Sequence, residues 1–127
     1  MSERVELAEP VETAKPVELV VVSRFRVEEQ PDAAVAQFRD AAQAALLALA
    51  ARPGYVDGHV GRNLDDPALW LLTTRWVGVG AYRRALSSYD VKVTAVPLLS
   101  QAVDEPSAYE TDRPGSPTNE QRPRDLR

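Results

Sequence analysis

The sequence predicts an α+β domain in which one antiparallel sheet carries two helices on a single face. Three observations predict it: β-branched or alternating segments that read as strands, apolar spacing of 3.6 residues in two segments between them, and one short, turn-rich connection. Together they give the element order β-α-β-β-α-β.

The first strand is predicted over residues 17–27, which are apolar and β-branched at the start and then alternate. Since side chains alternate along a strand, its residues divide between two faces. One face takes Leu19, Val21, Ser23, Phe25 and Val27, and the other takes Val20, Val22, Arg24 and Arg26.

The first helix is predicted to open at Pro31, where a missing backbone N–H costs nothing, and to run to Arg52, where Pro53-Gly54 stops it. Its apolar positions recur at helical spacing and form one buried stripe. The stripe consists of Val35, Phe38, Ala42, Leu46 and Leu49.

Residues 55–63 and 69–76 are predicted to pair as an antiparallel hairpin, because only the turn-forming segment 64–67 separates them. Alternation places Tyr55, Asp57, His59, Gly61 and Asn63 on one face of the second strand. It places Trp70, Leu72, Thr74 and Trp76 together on the third.

A second helix is predicted around residues 81–88, after Gly78 and Gly80, with Val79, Tyr82 and Leu86 on its apolar side. Residues 89–102 are predicted to be irregular or partly helical, interrupted by Pro97. A short last strand is predicted at 107–111. This order is the ferredoxin-like arrangement.

The domain is predicted to span residues 17–111, flanked by disordered tails at 1–16 and 112–127, which are polar and rich in proline. The sheet face away from the helices would carry Val20, Val22 and the strand-three row that contains Trp70 or Leu71. Because such a patch is unfavourable in water, we expect a homodimer in which a second sheet covers it.

Composition excludes several classes of function. The chain has no cysteine and one histidine, which excludes thiolate chemistry and sites built from several histidines of one subunit. The net charge is −4, with the acidic excess in the tails, so neither nucleic acid nor an anionic membrane is an expected partner. No membrane-length apolar run or secretory signal is present, and we expect a cytoplasmic protein.

Residues 52–92 carry a family resemblance. Pro53-Gly54-Tyr55 opens a strand, Asp65-Asp66-Pro67 forms a hairpin turn, Trp76 closes the next strand, and a helix containing Tyr82 follows. This segment resembles the antibiotic biosynthesis monooxygenase family. The resemblance implies a dimeric α+β barrel, and its characterised members include cofactor-independent oxygenases that convert polyketide phenols and anthrones to quinones.

A related branch of that family degrades heme and uses an asparagine, a tryptophan and a histidine. Alignment on Trp76 places Ser23, Ala85 and Ala95 at those positions, so the resemblance argues against heme degradation. We expect a protein that works without metal, flavin or heme.

Eight residues are candidates for the site. His59 is a candidate because imidazole is the side chain suited to proton transfer at neutral pH, and the alternative is a polar residue on a strand face. Trp70 and Trp76 offer an aromatic wall, or else core packing. The predicted catalytic residues are His59, Asn63, Trp70 and Tyr82, and the predicted substrate-binding residues are Ser23, Phe25, Trp76 and Arg75.

Asn63 and Tyr82 are the predicted anchors for a substrate phenol or its anion; alternatively, Asn63 begins a turn and Tyr82 belongs to the helix core. Arg75 either stabilises an enolate or pairs with an acid such as Asp57. The leading hypothesis is a dimeric, cofactor-independent monooxygenase that oxidises a phenolic or polycyclic aromatic substrate with O2. The alternative is a non-catalytic ligand-binding or accessory protein on the same barrel.

Overall fold

The computed structural model describes residues 16–112. The predicted tails, at 1–16 and 112–127, lie almost wholly outside the described residues. The strands are β1 (Leu19–Arg26), β2 (Tyr55–Arg62), β3 (Leu69–Trp76) and β4 (Ala108–Glu110), and the helices are α1 (Asp32–Ala50), α2 (Val79–Ser87), α3 (Tyr89–Thr94) and α4 (Val96–Leu99).

The four strands form one antiparallel sheet in the order β2-β3-β1-β4. This topology confirms the ferredoxin-like α+β prediction. Strand β3 lies in the middle of the sheet and pairs with β1 and β2 along nearly its whole length. Strand β4 is short and pairs only with Leu19, Val20 and Val21 of β1.

The sheet has one buried face and one open face. On β1 and β3, alternate residues are buried against the helices, namely Leu19, Val21, Ser23, Phe25, Trp70, Leu72, Thr74 and Trp76. The residues between them are half-buried or exposed and form what we call the open face. The predicted division of β1 and β3 into two faces is therefore confirmed, and Leu71, not Trp70, joins Val20 and Val22.

The prediction that Tyr55 shares a face with Asp57 and His59 is wrong. The pairing of β2 with β3 shifts register between Tyr55 and Asp57. Such an irregularity changes the face to which the following side chains point. Tyr55 consequently packs edge-on against Trp76 beneath the helices, while Asp57, His59 and Gly61 lie on the open face.

Helix α1 begins one residue later than predicted, with Pro31 as its N-cap, and buries Phe38, Ala42, Ala45 and Leu49. Residues 89–99 are more helical than predicted, because Pro97 lies in the first turn of α4 rather than interrupting a helix.

The open face is half-buried at Val20, Val22 and Leu71 without a second copy. The covering of this face in a homodimer stays a prediction. Within residues 16–112, no helix has the length and apolar character needed to cross a membrane.

Candidate functional site

Residues 100–107, which we call the strap, run beside β1 where β4 has not yet begun. Backbone bonds join the strap to β1 at its middle and at its last residue: Val103 N–H donates to the Arg24 carbonyl (2.8 Å), and Val22 N–H donates to the Ser107 carbonyl (2.7 Å). The strap therefore covers the edge of β1 that the short β4 leaves unpaired.

A cavity of about 300 Å³, which we call the strap cavity, lies beneath this segment. Ser23 of β1 and Tyr82 of α2 contribute two hydroxyl groups to its lining. Ser23 is 6% exposed, and burial raises the pKa of Tyr82. The Tyr82 phenol therefore stays protonated at neutral pH and can donate a hydrogen bond.

Two carboxylates of the strap line the same cavity, Asp104 and Glu105. Arg24 donates from Nε and Nη2 to the two carboxylate oxygens of Glu105, and each donor–acceptor distance is 2.7 Å. This pairing lowers the pKa of Glu105 and commits its carboxylate to the arginine. Asp104, by contrast, is exposed, and none of the described arginines pairs with it.

A larger concavity of about 510 Å³, which we call the helix groove, lies between α1 and the α3–α4 segment. Phe25 lines it together with Phe38, and the two rings are 5.1 Å apart. The predicted substrate-binding residues Ser23 and Phe25 thus line two different cavities. Helix α4 contributes residues to the wall of each.

Trp76 is fully buried, at 0% exposed, and its indole N–H donates to Thr74 Oγ1 (2.9 Å). The rings of Tyr55 and Tyr82 lie 5.4 and 5.6 Å from it. Its polar group is satisfied within the core. Trp76 therefore positions Tyr82 by packing.

Trp70 is 3% exposed and lies beside Phe38, with ring centroids 5.3 Å apart. The guanidinium groups of Arg39 and Arg62 lie 5.1 and 4.8 Å from its ring centroid. Its indole N–H has no hydrogen-bond partner within the part of the chain that the structure describes.

His59 and Arg75 lie on the open face, away from Ser23 and Tyr82. His59 is opposite Thr73, which is in turn opposite Val22, so His59 is two strands away from β1. Arg75 forms a two-pronged ion pair with Asp57 and lowers the pKa of that carboxyl group. The structure therefore does not bring these two predicted site residues to the strap cavity.

Asn63 lies in the β2–β3 turn. Its side-chain oxygen accepts hydrogen bonds from the backbone N–H groups of Asp65 and Asp66, and both donor–acceptor distances are 2.8 Å. Asp66 in turn accepts from Ala68 N–H and pairs with Arg26. These bonds are those of an Asx turn, as the structural alternative for Asn63 supposes.

Sequence reasoning missed the strap. Residues 100–107 have neither helical nor strand periodicity, and their role follows from packing against β1. The one local feature of this segment is the acidic pair Asp104-Glu105 before Pro106. An acidic pair does not by itself indicate that one of its members binds an arginine of β1. No cluster of three or more histidine, cysteine, aspartate or glutamate side chains is placed to hold a metal within residues 16–112.

Residues 18–95 match the family model described as antibiotic biosynthesis monooxygenase. SnoaB, a cofactor-independent oxygenase from Streptomyces nogalater, is 26% identical, covers 80% of this chain and 98% of its own, and superposes with a TM-score of 0.62.

A conserved protein from Methanosarcina mazei Go1 is 20% identical, with 76% and 94% of the two chains covered and a TM-score of 0.61, which shows the shared fold. Comparison with curated proteins finds no significant match. The family model spans most of the described sheet and helices, from the start of β1 to the end of α3. The chain therefore belongs to the antibiotic biosynthesis monooxygenase family.

Proposed function

We propose that this protein is a cofactor-independent monooxygenase that oxidises a phenolic or polycyclic aromatic substrate with O2 at the strap cavity. The observation that carries the proposal is that Ser23 and Tyr82, which both carry hydroxyl groups, line the same cavity. The family and the 26% identity to SnoaB support the reaction type.

The proposed chemistry begins with loss of a proton from the substrate. Asp104 is the candidate acceptor, because it lines the cavity and no arginine within residues 16–112 pairs with it. Neutral hydroxyl donors then stabilise the anion that forms, and the raised pKa of Tyr82 keeps its proton available for this role.

The overall reaction balances without a further reductant. A ring carbon of the anion bonds to one atom of O2, and the peroxide that forms takes back the proton held by Asp104. The O–O bond then breaks as that carbon loses its hydrogen, and a carbonyl and one water form. The substrate supplies all the electrons, so a phenol becomes a quinone. The chain's task is to hold the anion and restrict water around it.

The roles proposed for His59, Asn63 and Arg75 need a substrate elsewhere, at the open face or the β2–β3 turn. A substrate at Ser23 and Tyr82 is separated from His59 by the sheet and by two strand positions. The strap cavity and the open face are therefore competing locations, and the proposal commits to the strap cavity.

One observation favours the alternative, a non-catalytic ligand-binding protein. His59, the one histidine of the chain, lies outside the strap cavity, so an imidazole is not available there for proton transfer. The two functions differ in turnover, since an accessory protein binds an aromatic ligand without consuming O2.

The test is oxygen uptake with a panel of anthrones and hydroquinones, followed by labelled dioxygen to trace one atom into the product. We expect Tyr82→Phe to lower kcat by about 100-fold and Ser23→Ala by about tenfold. The matched control is Tyr89→Phe, because Tyr89 is 77% exposed on α3. Turnover that requires added metal or flavin defeats the cofactor-free proposal, and binding without oxygen uptake establishes the alternative.

A further inference from the structure

Arg24 of β1 binds both chain neighbours of Asp104, the candidate proton acceptor. The Arg24 backbone carbonyl accepts a hydrogen bond from Val103 N–H (2.8 Å). The Arg24 guanidinium group donates to both carboxylate oxygens of Glu105, and each donor–acceptor distance is 2.7 Å. A single residue of the sheet therefore fixes the strap on either side of Asp104.

Asp104 has no attachment of its own to the sheet. Within residues 16–112, neither its backbone nor its carboxylate makes a hydrogen bond or an ion pair. The next bond between the strap and β1 is at Ser107, whose carbonyl accepts from Val22 N–H (2.7 Å). The position of Asp104 relative to the sheet is therefore set through its two neighbours.

The strand that carries Arg24 also carries a residue of the strap cavity. Arg24 directly follows Ser23, which lines the cavity with Asp104 and Tyr82. Strand β1 pairs with β3 from Leu19 to Arg26, so the backbone at Arg24 is held on that side by the ladder. The strand that supplies one hydroxyl group of the cavity thus also holds the carboxylate that lines it.

The geometry of the ion pair suits positioning better than stabilisation. A planar guanidinium group that donates two parallel bonds fixes the orientation of a carboxylate as well as its distance. The two side chains are 42% and 29% exposed, so the pair contributes little to the free energy of unfolding. Proton transfer, by contrast, needs the acceptor within about 2.6–3.2 Å of the donor atom, and a small displacement slows it.

We propose that Arg24 is a positioning residue that holds the Asp104 carboxylate at the strap cavity, where it accepts the substrate proton and returns it to the peroxide. This inference rests on the proposed function, because it assigns Arg24 a part in the same reaction. Arg24 acts through Val103 and Glu105, and its guanidinium group is committed to Glu105 rather than to the substrate.

The first test is oxygen uptake with the anthrones and hydroquinones of the panel. We expect Asp104→Asn to lower kcat about 100-fold. Arg24→Gln should lower kcat about threefold to tenfold with little change in KM, because the acceptor is displaced while the cavity remains. Glu105→Gln breaks the same pair from the other side and should have the same effect. Arg24→Lys, which keeps the charge but not the two-pronged bond, should restore part of the loss.

The matched control is Arg26→Gln. Arg26 lies on the same face of β1 and is paired with Asp66 of the β2–β3 turn, away from the strap. This variant removes an arginine and an ion pair from the same strand, and it should leave kcat unchanged.

A double variant separates positioning from a merely structural role. If Arg24 acts through Asp104, Arg24→Gln should cause no further loss of kcat in the Asp104→Asn background. If Arg24 only supports the fold of the cavity, it should lower kcat by the same factor in both backgrounds.

Nitrogen-15 relaxation of the Asp104 amide measures its position without turnover, on the full chain without substrate. In Arg24→Gln, we expect the order parameter to fall from about 0.85, the value of rigid backbone, toward about 0.6. Arg26→Gln should leave it unchanged.

Three outcomes overturn the proposal: an unchanged order parameter in Arg24→Gln, an unchanged kcat in that variant, or equal losses in the two backgrounds. Absence of oxygen uptake by the wild type overturns the oxygenase function and with it the catalytic part of Asp104. The relaxation result still decides whether Arg24 holds Asp104, so the two failures are distinguishable.

Discussion

The two faces of the sheet are formed by the same strands but differ in what stabilises them. Beneath the helices, the core contains two sets of three aromatic rings, one around Trp76 and one that runs from Phe25 to Trp70. On the open face, half-buried Val20, Val22 and Leu71 alternate with arginines that pair with acids. The helix face is covered by this chain's own helices, whereas the open face is only half-buried.

This difference suggests a division of roles. The helix face combines close packing with Ser23 and Tyr82, which line the strap cavity, so chemistry is proposed there. The open face combines apolar side chains with ion pairs that are already satisfied, which is typical of an interface core bounded by polar residues. Substitutions should therefore affect assembly on one face and packing on the other.

The largest expected effect is that of Val22→Asp on the open face. If a second copy covers this face, an unpaired carboxylate is buried there, and we expect unfolded or aggregated protein. The control is Val93→Asp, because Val93 is 56% exposed on α3 and the same charge stays in water. Light scattering at micromolar concentration and circular dichroism measure the outcome. A monomeric wild type together with a soluble, folded Val22→Asp would show that no second sheet covers the face.

Two glycines of β2 allow the two faces to be compared by a smaller substitution, the addition of one methyl group. A Cβ at Gly58 would lie 2.8 Å from Leu46 Cδ2 and 2.9 Å from the Thr73 carbonyl oxygen, whereas one at Gly61 would meet nothing within 4 Å. We expect Gly58→Ala to lower the free energy of unfolding by about 1–3 kcal/mol. Gly61→Ala should be neutral or raise it by up to about 1 kcal/mol.

Urea denaturation of both glycine variants measures this difference. Equal effects of Gly58→Ala and Gly61→Ala would contradict the assignment of Gly58 to the packed face and Gly61 to the open face.

Periodicity was sufficient to predict most of the fold. Strand β3 was predicted with its observed bounds, and α1 within two residues at its end, because alternation and helical spacing are local signals. The face of Tyr55 was not predictable in this way, since the irregularity in its pairing with β3 leaves no mark in the alternation of either strand.

The candidate site was less predictable than the fold. Alternation correctly placed Ser23 beneath the helices, but which cavity it lines depends on the strap, which has no period. The strap is held by Arg24, which pattern reasoning could assign to a face but not to an acid more than 80 residues later. Long-range pairs of this kind arise from the assembled sheet.

The smallest expected effect concerns the Arg24–Glu105 pair that holds the strap closed. Arg24 lowers the pKa of Glu105 below its ordinary value of 4.5, so the carboxylate is charged and paired above that pH. The contribution of the pair is complete there and is lost as the pH falls through the lowered pKa. Because both side chains are partly exposed, 42% and 29%, we expect only a few-fold change in strap opening.

Hydrogen exchange of the Val103 amide, which donates to the Arg24 carbonyl, measures that opening. Glu105→Gln should reduce its protection a few-fold at neutral pH, after correction for intrinsic exchange, and should remove most of the further loss on acidification. The Val77 amide, bonded to Gly54 on the far side of the sheet, is the internal control and should not change. Exchanging the two charges, in the double variant Arg24→Glu with Glu105→Arg, should restore part of the protection. Unchanged protection in Glu105→Gln would mean that the backbone bonds of Val22 and Val103 hold the strap by themselves, and access to Ser23 and Tyr82 would then be independent of this ion pair.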